Sequence, residues 1–200
     1  MAGGFGGTKS NNKDKKVRSI SKNAPGSGTK PLRVAANTFD AIYKESNRNP
    51  EIVVDVYVRS PSNDEEQCWF VGKVARRTML ENCDGSSVPT IEEALLSQKR
   101  LILEYAQHLR PQNLGGPFSK NLQVLYARGN SELDVVQNKE PLTPLQGSTT
   151  KDISSTFSVK DVGYNPEIYV GDEIKDGGLR VKRDKDGNPV KQVFEINAKT

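Results

Sequence analysis

The clearest alternation of apolar and polar positions runs through Glu51–Arg59, where Ile52, Val54, Val56 and Val58 fall on one face and Val53, Asp55 and Tyr57 on the other. A period of two dominated by β-branched residues predicts a strand. Ser60–Glu66 reads as a polar loop containing Pro61, after which Gln67–Arg77 supplies Cys68, Trp69, Phe70, Val71, Val74 and Ala75. A second strand paired antiparallel with the first is the economical reading. Gly72 within it predicts a bulge or the close approach of another backbone.

After Pro89 the period becomes helical. Thr90 and Glu93 have capping-box spacing, in which each side chain satisfies the other's backbone amide. Ile91, Ala94, Leu95, Leu101, Ile102, Tyr105 and Leu109 then recur at helical intervals until Pro111 stops the run. One face of this helix is expected to pack on the sheet, with Lys99, Arg100, Glu104 and Gln107 facing water. A shorter helix is expected from Asn37 or Thr38, either of which can cap a first turn containing Asp40, through about Asn47. Leu122–Arg128 alternates as a third strand, and Leu133–Gln137 reads as a shorter strand-like piece.

Helix, strand, strand, helix, strand, strand predicts an α+β domain over residues 38–138, a small antiparallel sheet packed by one main helix. Residues 139–164 turn to Pro, Thr, Ser, Gly and Gln and read as a linker or an extended, surface-hugging segment. Residues 165–200 read as a β-hairpin or meander extension, with pieces at Glu167–Val170, Gly178–Arg183 and Val190–Ile196 around the turn Asp184–Pro189. So small a unit needs the main domain or a partner to be stable.

Composition changes the picture at the N-terminus. Only 34% of the 200 residues are hydrophobic, and the net charge is +4. Residues 1–37 hold eight Lys and Arg against Asp14 alone, a net +7 that leaves the other residues at −3. This Gly-, Ser- and Lys-rich arm cannot bury enough apolar surface to offset its ordering entropy, so it reads as disordered in isolation. It is compatible with a solvated tail, with an arm ordered along an acidic protein surface, or with a phosphate-binding arm for nucleic acid. A remnant of a plastid targeting peptide would also be basic, but Lys exceeds Arg here and no amphipathic face is visible. The candidate electrostatic contacts are Lys13, Lys15, Lys16, Arg18 and Arg33, with Phe5 and Trp69 as apolar anchors. Trp69 has two readings, a core residue or an exposed interface anchor.

Candidate chemistry is sparse. Cys68 and Cys83 are too few for a disulfide scaffold and fit a reducing compartment, and with one His no metal or other cofactor is expected. Cys68 and His108 could be read as a thiolate and its base, but nothing local lowers the thiol pKa and no third orienting group is suggested, so a buried Cys and a helix-end His is the better reading. A small enzyme or chaperone with a site beside the 90–110 helix would need a bound small molecule or a distinctly perturbed Cys68. Asp184, Asp186, Asn188 and Glu195 sit at calcium-loop offsets, but Pro189 occupies the position that demands Gly, so a hairpin turn is the better reading. No Gly-Lys-Ser/Thr phosphate loop occurs. No stretch approaches the ~20 apolar residues of a membrane span, and no apolar signal core is visible, so neither a spanning nor a secreted protein is expected.

Three segments carry a resemblance: Trp69–Arg76 (WFVGKVAR), Gln98–Gly115 (QKRLILEYAQHLRPQNLG) and Gly129–Val136 (GNSELDVV). They resemble a family of small soluble proteins of plastids and cyanobacteria, over about residues 38–138. The resemblance implies a stromal or cyanobacterial cytoplasmic protein at the thylakoid surface, near photosynthetic complexes, and identifies no reaction. In charge and organisation, though not in domain motifs, the layout is also similar to phycobilisome linker polypeptides. The resulting expectation is a non-enzymatic linker or assembly protein, peripheral to the membrane, whose partners are acidic photosystem or phycobiliprotein subunits. The alternative is a nucleic-acid or ribosome-associated factor using the same basic arm.

Overall fold

A computed structural model of the chain describes residues 29–78, 88–147, 158–166 and 178–190. Order begins well before Asn37. Helix α1 spans Thr29–Glu45, with Pro31 in its first turn, where a missing N–H costs nothing. Leu32, Ala35, Phe39 and Ile42 are its buried face. Thr38 therefore caps nothing; its hydroxyl donates back to the Val34 carbonyl at 2.9 Å within the helix. Asn47 and Arg48, both with positive φ, end the helix, and the Arg48 amide donates to Tyr43 O at 2.8 Å. The expected 1–37 arm is thus corrected at its C-terminal end. An amphipathic run at i, i+3, i+7 and i+10 outweighs the basic composition once it has a sheet edge to lie on.

Strands β1 (Val53–Ser60) and β2 (Asp64–Arg76) form the expected antiparallel hairpin, joined by a turn tighter than the predicted loop. Val56 pairs with Gly72 but Tyr57 pairs with Phe70, leaving Val71 as the extra residue of a bulge, with Gly72 at φ 138°. Helix α2 (Ile91–Leu109) begins with the capping box: the Glu93 amide donates to Thr90 Oγ1 at 3.1 Å, and the Thr90 amide to Glu93 Oε2 at 2.9 Å. A short helix α3 (Pro111–Leu114) leads towards β3 (Gln123–Arg128), which pairs with β1.

Leu133–Gln137, which reads as strand-like in sequence, is helical instead: helix α4 spans Glu132–Val136 and Gln137 is its C-cap. Glu132 and Asp134 sit in its first turn, where the helix dipole favours them, and Val135 alone is buried while Leu133 and Val136 face outward. The stretch read as a linker also contributes to the sheet. Leu142 is 1% exposed, β4 (Thr143–Pro144) pairs with β3, and β5 (Val162–Pro166) pairs with β2. Strand β6 (Arg180–Lys182) also pairs with β2, nearer its start. Pairing, not composition, decides these short pieces, because each adds to an edge that already exists. Residues 148–157, the predicted piece Glu167–Val170 and most of Val190–Ile196 lie outside the described residues.

The fold is α+β: a six-stranded antiparallel sheet in the order β4-β3-β1-β2-β5, with β6 beside β5 along the same edge of β2. Sheet pairings therefore reach past residue 138. Both faces are covered. On the first, Val54, Val56, Val58, Trp69 and Val74 lie under the α2 residues Ala94, Leu95, Ile102 and Ala106. On the second, Tyr57, Cys68, Phe70 and Leu125 meet Val135, Leu142 and Val181. Helix α1 lies over β5, and Gly163 is what lets it approach: a Cβ there would stand 2.1 Å from the Phe39 nitrogen.

Candidate interaction surface

The charged residues that sequence reasoning passed over are those on the second face of β1. Asp55 is fully buried there. Its carboxylate accepts the Asn130 and Ser131 amides at 3.2 and 2.8 Å and lies 3.3 Å from the Ser131 hydroxyl. Lys73, its neighbour across the hairpin, reaches Asp55 at 3.1 Å, Glu132 at 2.6 Å and Asn130 Oδ1 at 2.7 Å. Gly129 is required by close approach, since a Cβ would meet the Val53 carbonyl at 2.6 Å, and Asn130 supplies a positive φ. Two of the three sequence segments, WFVGKVAR and GNSELDVV, are thus joined through one ion-pair cluster at the β3–α4 turn. Burial pushes the Asp55 carboxyl above the usual carboxylate range, against the pull of Lys73.

Two buried arginines fasten the C-terminal chain to the sheet. Arg59 donates to Gln123 Oε1 at 2.7 Å, Asp184 O at 2.7 Å and Lys185 O at 2.9 Å. Arg183, fully buried, donates to Asn138 Oδ1 and to the carbonyls of Lys182, Val135 and Glu140. Its position at the end of α4 puts a cation against the negative pole of that helix. Loss of water pulls the Arg183 pKa below the usual arginine value. For Arg59 a signal was in the sequence, as a charge on a strand whose residues are mostly apolar on both faces; Arg183, which follows Arg180 and Lys182, carried none.

The expected partner-binding residues are scattered. Phe5, Lys13, Lys15, Lys16 and Arg18 lie outside the described residues. Arg33 is exposed on α1, beside exposed Lys30 and Val34. Trp69 is interior, 4% exposed, with the guanidinium carbons of Arg110 and Arg180 at 5.1 and 5.6 Å from its ring centroid. That settles its two readings: Trp69 is a core residue bounded by cation–π contacts and presents no surface anchor. Cys68 and His108 are not brought together, because Cys68 lies in the second-face core while His108 is exposed near the end of α2 on the first. Burial pushes the Cys68 thiol up to about 12, the direction opposite to activation. Asp184 accepts the Asp186 and Asn188 amides at 3.0 and 2.8 Å, the chemistry of a turn, and these hydrogen bonds hold its carboxyl below the ordinary range.

Among the described residues, a concavity of about 310 Å³ lies between β6 and α4. Val136, Arg180, Lys182 and Val190 line it, and Leu133, 75% exposed, stands on the same helix as Val136. Among the described residues no group of three His, Cys, Asp or Glu is placed to hold a metal, and no helix is long and apolar enough to cross a membrane. What the geometry defines is therefore a class of fold, a both-sides-covered antiparallel α+β sheet. No family model matches the chain, and no curated protein or solved structure is significantly similar to it.

Proposed function

We propose that the protein is a non-enzymatic tether or assembly factor that holds acidic protein surfaces of photosynthetic complexes at the stromal face of the thylakoid. The basic N-terminal residues make the electrostatic contact and the α+β sheet serves as the rigid body that presents them. The observation that carries this reading is the position of α1. Residues 1–28, with six Lys and Arg against Asp14 and so a net +5, run directly into a helix whose apolar face is docked on the sheet and whose Lys30 and Arg33 stay exposed. Charge on a short tether from a fixed point raises the encounter rate with an acidic surface and concentrates weak contacts. The strongly buried charges, Asp55, Arg59 and Arg183, are meanwhile engaged in holding the frame together. The photosynthetic setting rests on the resemblance of the three sequence segments.

The test compares the full chain with one lacking residues 1–28, which keeps α1 whole, as baits in thylakoid lysate with and without nuclease. Recovery of photosystem or phycobiliprotein subunits that resists nuclease and falls with the deletion is the expected result. Recovery of RNA or ribosomal proteins that vanishes with nuclease, with the steep salt dependence of phosphate binding, would replace the tether with a nucleic-acid factor.

A further inference from the structure

Lys73 serves two carboxyls at once. Its three ammonium protons have three acceptors, Glu132 Oε1 at 2.6 Å, Asn130 Oδ1 at 2.7 Å and Asp55 Oδ1 at 3.1 Å, so its charge is fully engaged. With both carboxyls ionised the cluster would hold a net negative charge around Asp55, which has no exposure to water. Among the described residues no further cation offsets it. Arg128 turns to Asp134 and Glu140, and Arg183 is spent on the Val135 and Glu140 carbonyls. Ala127 on β3 pairs with Asp55, Asn165 on β5 pairs with Lys73, and neither carries a charge. Burial keeps the Tyr57 phenol, on the same face of β1, neutral. Two carboxyls that share one cation in a dry site do not both ionise. Glu132 is partly exposed and the closer of the two to Lys73, so it keeps the charge and Asp55 keeps a proton.

The oxygens around Ser131 place that proton. The Ser131 hydroxyl has one hydrogen, and its 2.6 Å bond to Arg128 O uses it. The same hydroxyl oxygen lies 3.3 Å from Asp55 Oδ2. That contact is a weak hydrogen bond when the carboxyl donates, and two facing lone pairs when it does not. A protonated Oδ2 still has a lone pair for the Ser131 amide at 2.8 Å, and Oδ1 still accepts from Lys73 and from the Asn130 amide at 3.2 Å.

What the cluster holds is α4. Asn130 and Ser131 lead directly into it, and Val135 is its buried side chain. A helix of five residues has little of its own to keep it formed, and its outer side carries the exposed Leu133 and Val136. We infer that Asp55, Lys73 and Glu132 form a proton-operated latch on α4: the helix is docked while the two carboxyls share one proton, and losing that proton releases its first turn. Ionised Asp55 and Glu132 repel each other across a single lysine, and opening the 129–131 turn lets water reach both. The docked form binds the proton more tightly than the opened one, where the carboxyl is hydrated, so release is favoured as pH rises. The latch works whatever surface the protein holds.

Carbon-13 NMR of the side-chain carboxyls and amide hydrogen exchange, both on the full chain, test it. The Asp55 carboxyl, assigned by its absence from Asp55→Asn, is expected to stay protonated above about pH 4, the ordinary aspartate value. As pH rises past that value, protection of the Val135 and Gln137 amides should fall relative to that of the β1 amides Val56 and Val58. The slope should approach about tenfold per pH unit, one proton released per opening, until Asp55 has titrated. Asparagine cannot ionise and offers an N–H to the Ser131 hydroxyl, so Asp55→Asn should hold α4 protection level across the same series. Glu132→Gln leaves Lys73 to Asp55 alone and should bring the Asp55 titration down to or below the ordinary value. The inference is overturned if Asp55 in the parent titrates at or below that value, or if the parent's α4-to-β1 protection ratio stays within about twofold throughout. The same slope in Asp55→Asn, or an unmoved Asp55 titration in Glu132→Gln, also overturns it. The two parent measurements decide the matter even where a variant fails to fold.

Discussion

Replacing Gly163 with Ala tests whether α1 is seated on the sheet as described. The added methyl would lie 2.1 Å from the Phe39 nitrogen, 2.4 Å from Phe39 Cα and 2.8 Å from the Thr38 carbonyl carbon. Nonbonded heavy atoms are comfortable only near ~3.5 Å, so the helix must retreat by more than about 1 Å. Both sides of the clash are backbone, one a helix and one a paired strand, so no side chain can swing away. Overpacking costs about 1–3 kcal/mol when neighbours can adjust. Complete undocking would forfeit the burial of Leu32, Phe39 and Ile42, at roughly 1.5–3 kcal/mol each. The expected loss lies between these limits, about 3–5 kcal/mol, and is read from the midpoint and slope of urea unfolding. Gly116→Ala is the control. Gly116 has a positive φ, unlike Gly163, and nothing within 4 Å of its Cβ position, so there only the left-handed backbone is penalised, at about 1 kcal/mol. Exchange of the α1 amides should accelerate in Gly163→Ala while those of β1 follow global stability. If Gly163→Ala unfolds within about 1 kcal/mol of the parent, or if α1 amides are unprotected in the parent, the seating of α1 on β5 is wrong.

Arg183→Met should destabilise by about 3 kcal/mol in thermal or urea unfolding, because the carbonyls of Val135 and Glu140 and the Asn138 side chain lose their buried donor together. An effect below about 0.5 kcal/mol would show that the cation is not holding α4. Asp55 makes a signed pH prediction. Burial raises its carboxyl pKa in the folded chain above the ordinary aspartate value, so its contribution to stability is complete below that value and is lost as pH rises through the folded pKa. The stability advantage of the parent over Asp55→Asn should therefore shrink as pH rises above the ordinary carboxylate range in urea titrations. An advantage that grows with pH would mean that Lys73 and the Asn130 and Ser131 amides outweigh burial.

What could be read in the sequence was local. The Val54–Val58 alternation, the Thr90–Glu93 capping box and the bulge at Gly72 each depend on neighbours a few residues away, and each is found in place. The start of α1 was hidden because its apolar beat, Leu32, Ala35, Phe39 and Ile42, opens inside a segment whose Lys, Gly and Pro content speaks for a solvated arm. Leu133–Val136 alternates well enough for a strand, and what makes it a helix lies about 75 residues earlier, in the Asp55 carboxylate that accepts the Ser131 amide. Strands β4, β5 and β6 are too short for periodicity to register, and they exist because β3 and β2 offer edges. The candidate site fared likewise. Charge location pointed to the arm, but the fate of Trp69 was decided by packing, which no spacing rule in its own segment reveals.

The same non-local pairings decide how small a piece of this protein can fold. Cut to residues 38–138, the chain would lose Leu142, Val162, Tyr164 and Val181, all buried, along with the first turns of α1. At roughly 1.5–3 kcal/mol per large buried side chain, the four together are worth about 6–12 kcal/mol. That is comparable to the whole stability of a domain, about 5–15 kcal/mol. The cut would also strip β2 of both partners on its outer edge and leave Arg59 buried without the carbonyls of Asp184 and Lys185. Residues 29–190 should therefore unfold in a single cooperative transition, whereas 38–138 should show no sigmoidal urea transition and should bind a hydrophobic dye. A cooperative transition in the shorter piece would mean that β5 and β6 are accessories to an autonomous 38–138 core, and that the two buried arginines fasten the C-terminal chain without being needed for the sheet itself.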